Sequence, residues 1–363
     1  MTNSDLISPP RLIEHGAMTL PSVVVDSYNL EIKDELGFIG DRASKKAFRG
    51  KLDDLRKNLK KIGADPFGKV RSKDLKKKDI DAVLNGDDPD AAAVVLVAID
   101  DYAKEFAGVL ERFLKDSAWK DTARIAVGGG LKESALGELA ISRTKLRLQG
   151  AGLKVDLVPI RHHPDEAGLI GAAHLMPAWM LDGYDAILAV DIGGTNIRAG
   201  VVKTRLDKKK DLSKAKVWKS DLWRHADDSP KRSATIERLS DMLSHLISKA
   251  EKEGISLAPV IGVACPGIIE KTGAINRGGQ NLPGGNWESK HFNLAAALKL
   301  AIPKIGKHET FVIMHNDGVA QGLSQIPFMQ DVERWAVVTI GTGLGNARFS
   351  NRSSEKTQTQ DRR

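Results

Sequence analysis

The chain has 363 residues, 28% charged and 41% aliphatic or aromatic, with a formal net charge of +8. That length supports roughly two to three domain-sized units with a large core, and no apolar run approaches the ~20 residues that span a bilayer. The single cysteine, Cys265, excludes an intramolecular disulfide framework and a cysteine-cluster zinc site. The first residues lack the basic start and apolar centre of a secretory leader, so a cytoplasmic location is expected.

Much of the positive charge lies in two runs, Lys45 to Lys78 and Lys203 to Lys219. Acidic residues interleave with both, which reads as solvated helical faces, and nucleic acid is not an expected partner. From Ala91 to Leu114, Val95, Ile99, Tyr102, Phe106, Val109, Leu110 and Phe113 recur at helical spacing. Arg124–Val127 reads as a buried strand running into Gly128, Gly129 and Gly130. A helix over Glu133–Leu146 and a strand over Val155–Pro159 follow. Asp165–Met180 has helix composition, with Pro177 expected to kink or end it.

Ile187–Val190 is the next strand, then the turn Asp191-Ile-Gly-Gly-Thr-Asn196, then a strand over Ile197–Val202. Ile236, Leu239, Leu243, Leu246 and Ile247 mark an amphipathic helix ending near Gly254. Val260–Ala264 runs into Cys265-Pro266-Gly267, Phe311–Met314 into His315-Asn316-Asp317-Gly318, and Trp335–Ile340 into Gly341-Thr342-Gly343-Leu344-Gly345. The polar end from Ser350 reads as a disordered tail. Strands alternating with helices indicate an α/β fold. Strands that end repeatedly in glycine and polar residues mark where such sheets place ligands.

The segment from Val190 to Gly200 reads as a β-hairpin with a bare tip. Gly193 and Gly194 let a polyphosphate approach the backbone, with N–H groups turned toward it. Thr195 adds a hydroxyl donor, and Asp191 is placed to hold Mg²⁺ through water, since Mg²⁺ keeps most of its hydration shell. A second strand with a glycine and threonine tip, Val338 to Gly345, invites the same use; two such hairpins facing one another could clamp the β- and γ-phosphates of ATP from both sides. Asp317 at a strand end can accept the proton of an attacking hydroxyl, or cap the helix expected over Gly318–Gln325. The loop Gly278 to Trp287 is dense in amide side chains, which suit a hydroxyl array. There is no GxxxxGK[ST] loop and no GxGxxG opening a helix.

In series, DIGGTNIRAG, IGVACPGIIE, QNLPGGNW, HND and TIGTGLG resemble the N-terminal two-thirds of ROK-family hexokinases and glucokinases, over Asp185–Phe349. The resemblance implies a two-lobed actin-like ATPase (ribonuclease H-like) fold with ATP and sugar in the inter-lobe cleft. It implies ATP-dependent phosphorylation of a hexose or related sugar. The alternative within the family is a non-catalytic sugar-binding or regulatory protein. Carried over residue by residue, Asp317 is the general base, and Asn281, Asn316, Gly267 and Asn286 meet the sugar. Asp191, Gly193, Gly194, Thr195, Asn196, Thr339, Gly341, Thr342 and Gly343 hold the nucleotide, with Asp191 toward Mg²⁺. Ala126-Val-Gly-Gly-Gly130, Asp165 to Ala173 and Gly40-Asp-Arg-Ala-Ser44 resemble segments near the family's C-terminus, yet here precede Asp191. That implies a circular permutation: 1–184 as the second part of the large lobe, 185–310 as the small lobe, 311–349 as the first part of the large lobe, and 350–363 as the tail.

The family's E-x-G-H segment and its cysteine-rich zinc motif are absent, so no zinc is expected. Only Glu14-His15-Gly16 has related chemistry in the matching place. His162 and His163, adjacent on an extended segment, point to opposite sides and read as structural or surface residues. Expected partners are ATP and a small sugar, not a membrane; a homodimer is left open.

Overall fold

The computed structural model describes residues 14–130, 132–280 and 282–352. In chain order the main strands are β1 (Val23–Tyr28), β2 (Arg124–Gly128), β3 (Asp156–Pro159), β4 (Ala186–Ile192), β5 (Ile197–Lys203), β6 (Lys216–Trp223), β7 (Leu257–Cys265), β8 (Phe311–Asn316), β9 (Arg334–Ile340) and β10 (Leu344–Asn351). The helices are α1 (Lys45–Lys61), α2 (Lys77–Leu84), α3 (Pro89–Lys115), α4 (Ala135–Gly150), α5 (Pro164–Ala172), α6 (His225–Asp228), α7 (Arg232–Lys252), α8 (Leu294–Ala301) and α9 (Asp317–Leu323). The chain divides into two compact units. Among the described residues, no helix is long and apolar enough to cross a membrane.

The first unit takes the chain up to Asp26, Asp165–Glu333, and the chain from Phe349. Its sheet has the order β8-β7-β4-β5-β6. β4, β5 and β6 form an antiparallel meander, while β7 and β8 run parallel to β4. β4 is buried along its whole length, which is why it reads as a continuous apolar run up to Asp191 rather than an alternation. One core joins β4, β5 and β7 to Leu239, Leu243 and Leu246 of α7 and to Trp287.

The second unit takes Ser27–Pro164 and Arg334–Arg348. Its sheet has the order β1-β10-β9-β2-β3, with β9, β2 and β3 parallel, and the divisions after Asp26 and Arg348 fall within β1 and β10. α3 supplies the core stripe Val95, Ile99, Tyr102, Phe106, Leu110 and Phe113. The helix starts where Pro89 follows Asp88, whose carboxylate accepts from the N–H groups of Asp90 and Ala91. Counted from β9, the sheet has the same 3-2-1-4-5 order as the first unit counted from β4. The third place, filled there by β6 directly after β5, is filled here by β1 from the opposite end of the described chain.

Two expectations need correction. The run from Lys203 to Lys219 is not a helical face. It holds the end of β5, turns with Arg205 and Leu212 at left-handed φ, and the start of β6; a helix does not continue through such residues. The helix expected over Asp165–Met180 stops at Ala172. Short 3₁₀ turns follow, with Met176 extended before Pro177, as the proline ring requires of its neighbour.

Candidate functional site

Three parallel strands of the first unit end side by side and carry the candidate chemistry. β7 sits between β4 and β8, with Asp191 opposite Ala264 and Asn316 opposite Cys265. Asp191 and Asp317 therefore leave strands two places apart, about 10 Å in a sheet, with Cys265 between them. Ligands gather at such strand ends in open α/β sheets.

Asp191 is buried. Burial pushes its carboxyl above the usual range and the charge of Asp165 adds to that, while Arg198 pulls it down. Arg198 stands opposite Asp191 in the β4–β5 register, with Nη1 3.7 Å from the carboxylate, and its Nη2 donates to Asp165 at the start of α5. α5 reaches this point because residue 168 is glycine: a Cβ there would lie 2.7 Å from Asp191 Cγ. Asp317 is partly exposed. Burial, then the charge of Asp191, pushes its carboxyl up to about 7, against the backbone N–H of Gly318. The Cys265 thiol is pushed up by burial and by both aspartates.

Asn316, not Asp317, caps α9. Its Oδ1 accepts from Gly318 N–H at 2.9 Å and Val319 N–H at 3.2 Å, and its Nδ2 donates to Gly267 O at 3.0 Å. The capping role weighed for Asp317 thus falls one residue earlier and leaves the aspartate as the first helical residue. The chain at 193–196 closes a tight turn, Gly193 N–H donating to Asn196 O at 2.9 Å, with Gly194 exposed. α6 supports this turn from its backbone side: Ala226 N–H donates to Thr195 O, and the His225 ring meets Gly193 O at 2.8 Å. Asn286 is exposed, and its Oδ1 accepts from Glu288 N–H at 2.9 Å. Buried Trp287 anchors this loop, with its indole N–H on Pro283 O. Asn281 lies outside the described residues.

In the second unit, Thr339 at the end of β9 is in register with Gly128 at the end of β2. Gly129 has φ +89°, and a Cβ there would stand 2.2 Å from Ile340 O. Gly128 and Gly129 thus lie beside the end of β9 although far from it in sequence. Gly341 N–H donates to Gly343 O, closing the exposed Thr342 tip, and Lys45 N–H at the start of α1 donates to Gly341 O. Lys77 Nζ donates to Gly130 O at 2.6 Å. His163 pairs with Glu133 at 3.0 Å, and His162 O accepts from Lys132.

Sequence reasoning passed over Arg198, Gly168 and His315. Arg198 was legible in principle, since a seven-residue offset across a tight hairpin puts it opposite Asp191. The contact of Gly168 with Asp191 was not, because nothing local announces it.

The repeated 3-2-1-4-5 sheet, three strands antiparallel and two parallel in the first unit, is that of the actin-like ATPase fold. The resemblance read from the motifs is matched by the family model described as ROK family, over residues 187–355. Among solved structures, the chain is similar to the Lmo2764 protein of Listeria monocytogenes, with 26% identity, TM-score 0.33, and 46% of this chain and 47% of that one covered. A ROK hexokinase from Thermus thermophilus gives 22%, TM-score 0.32, and coverage of 44% and 45%. A ROK family glucokinase from Streptomyces griseus, in complex with glucose and AMPPNP, gives 19%, TM-score 0.33, and 46% of each chain. The chain thus spans just under half the length of these structures. A search of curated proteins finds no match.

Proposed function

We propose that the protein transfers the γ-phosphoryl group of ATP to a hydroxyl of a hexose or related sugar, with Asp317 as general base. The observation that carries this reading is the placement of the Asp317 carboxyl at the end of β8, two strands from Asp191, where burial and the Asp191 charge push it up to about 7. A base whose pKa lies near working pH combines a large deprotonated fraction with useful proton affinity. Its carboxylate takes the hydroxyl proton as the sugar oxygen bonds to the γ-phosphorus, and the bond from that phosphorus to the ADP oxygen breaks.

The turn Gly193–Asn196 is the proposed seat of the phosphates on the first unit, through bare backbone and the Thr195 hydroxyl. Thr339, Gly341, Thr342, Gly343 and Gly128–Gly130 are the proposed nucleotide contacts of the second. Gly267, Asn281, Asn286 and Asn316 are proposed for the sugar. With its Oδ1 occupied by the α9 cap, Asn316 would serve through its amide nitrogen.

The site's charge fits Mg²⁺. The Asp191 charge acts on Asp317, and Arg198, which stands beside Asp191, is shared with Asp165. Such a site suits a Mg²⁺ ion held by one carboxylate, water and phosphate oxygens. Asp191 would hold it, and bound Mg²⁺ would neutralise charge on the phosphate oxygens.

We also infer that the chain order is circularly permuted relative to the family; the supply of the third strand of the second sheet by β1 supports it. The test of function is ADP release from ATP and Mg²⁺ across a panel of hexoses and N-acetylhexosamines. Sugar-dependent ADP release removed by Asp317→Asn supports the kinase. Sugar binding with no transfer supports the regulator.

A further inference from the structure

We propose that His315, acting with the segment Glu14–Leu20, is a positioning residue: its ring ties the backbone of Ala17 to that of Asn316 and so sets where Asn316 and Asp317 stand. The kinetic consequence rests on the kinase reading; the tie itself does not.

β8 is an outer strand of its sheet, so one row of its backbone groups needs partners from elsewhere. The segment near the N-terminus supplies them. Gly16 N–H donates to Met314 O at 2.9 Å, and Met314 N–H donates to His15 Nδ1 at 3.1 Å, so an imidazole stands where a neighbouring strand would offer a carbonyl. One residue on, the relation is reversed. Asn316 N–H donates to His315 Nδ1 at 2.8 Å, and His315 Nε2 lies 3.1 Å from Ala17 O. With Nδ1 accepting, Nε2 carries the proton and donates to the carbonyl. The fully buried ring is neutral at working pH, since burial lowers its pKa to about 4.

The segment's seat is tight. Gly16 has φ +58°, and a Cβ there would lie 2.1 Å from Ile269 O; Glu14 pairs with Lys271 at 2.9 Å. The chain of bonds therefore runs from a segment near the N-terminus, through one imidazole, to the amide adjoining the candidate base. A segment serving only to cover the strand edge would need no bond ending there.

Two substitutions approach the tie from opposite ends. Asn at 315 can accept from Asn316 N–H but cannot reach Ala17 O. Ala at 16 meets Ile269 O and unseats the segment while leaving the imidazole intact. We expect His315→Asn and Gly16→Ala each to lower kcat by about 10- to 100-fold, the scale of an ångström-level misplacement, with KM for ATP changed by less than about 2-fold. His315→Gln, whose longer amide reaches Ala17 O, should recover part of the loss. Hydrogen exchange on the full-length protein should quicken in peptides covering 14–20 and 314–319 together, in both His315→Asn and Gly16→Ala. Faster exchange confined to 14–20, or wild-type kcat in Gly16→Ala with that segment exchanging freely, overturns the proposal. If the wild-type protein phosphorylates no sugar, the kinase reading falls and the paired exchange alone decides the tie: both peptides quickening upholds it, one alone refutes it.

Discussion

Replacing Asp317 by asparagine should change stability in a pH-dependent way that follows from its surroundings. In the folded chain the carboxyl titrates near 7 rather than at 3.8, first through burial and then through Asp191. A raised folded pKa contributes stability that is fully present below the unfolded value and is lost as pH rises through the folded one. Between about pH 4 and 7 the folded form keeps a proton that the unfolded form has released, so stability falls with each pH unit. At 1.36 kcal/mol per unit, the loss reaches about 4 kcal/mol. Partial exposure and the charge shared with Asp191 bring the expected value to about 2–4 kcal/mol. Asparagine does not titrate, so Asp317→Asn minus wild type should widen by that amount from pH 4 to pH 8, in the variant's favour. Urea unfolding without nucleotide, with EDTA present, measures this difference, and the titration of groups that do not interact with Asp317 cancels in it. A difference that stays flat across this range, or a variant less stable at pH 8 than at pH 4 relative to wild type, would refute the reasoning. The same substitution should lower kcat by about 10²–10⁴-fold, and wild-type kcat/KM should rise with pH through about 7.

Gly168→Ala would press a methyl group onto Asp191 and should destabilise by about 1–3 kcal/mol while weakening nucleotide affinity; melting and ATP titration check both. Asp191→Asn should raise the Mg²⁺ concentration for half-maximal activity, because it removes a negative charge near the metal; a Mg²⁺ titration at saturating ATP reads this. Trp287→Ala empties a buried site and should cost about 3–5 kcal/mol, with KM for sugar rising more than KM for ATP as the Asn286 loop loosens.

How much of this was legible in the sequence depended on how a signal was carried. β4, β7, β8 and β9 were readable because each is an apolar run ending in glycine or a polar residue, and α3 because a single stripe faces the core. β6 was not: as an outer strand of its sheet it buries only Trp223, so its lysines dominate and the run reads as helix. β1 gave too short an apolar run, Val23–Val25, to separate from its turn-rich flanks. Asn316 and Asp317 were both read at the strand end, but which of them caps the helix depends on side-chain geometry that spacing leaves open. The seating of Glu14–Leu20 on β8 joins residues nearly 300 positions apart, and no local pattern encodes it.

The central claim is phosphoryl transfer to a sugar, and mass spectrometry of the sugar after incubation with ATP and Mg²⁺ tests it most directly. We expect a sugar monophosphate to form with one ADP per product in wild type, and at least about 100-fold less in Asp317→Asn. ADP formed without any sugar phosphate across the panel, or equal product from both proteins, would contradict the account.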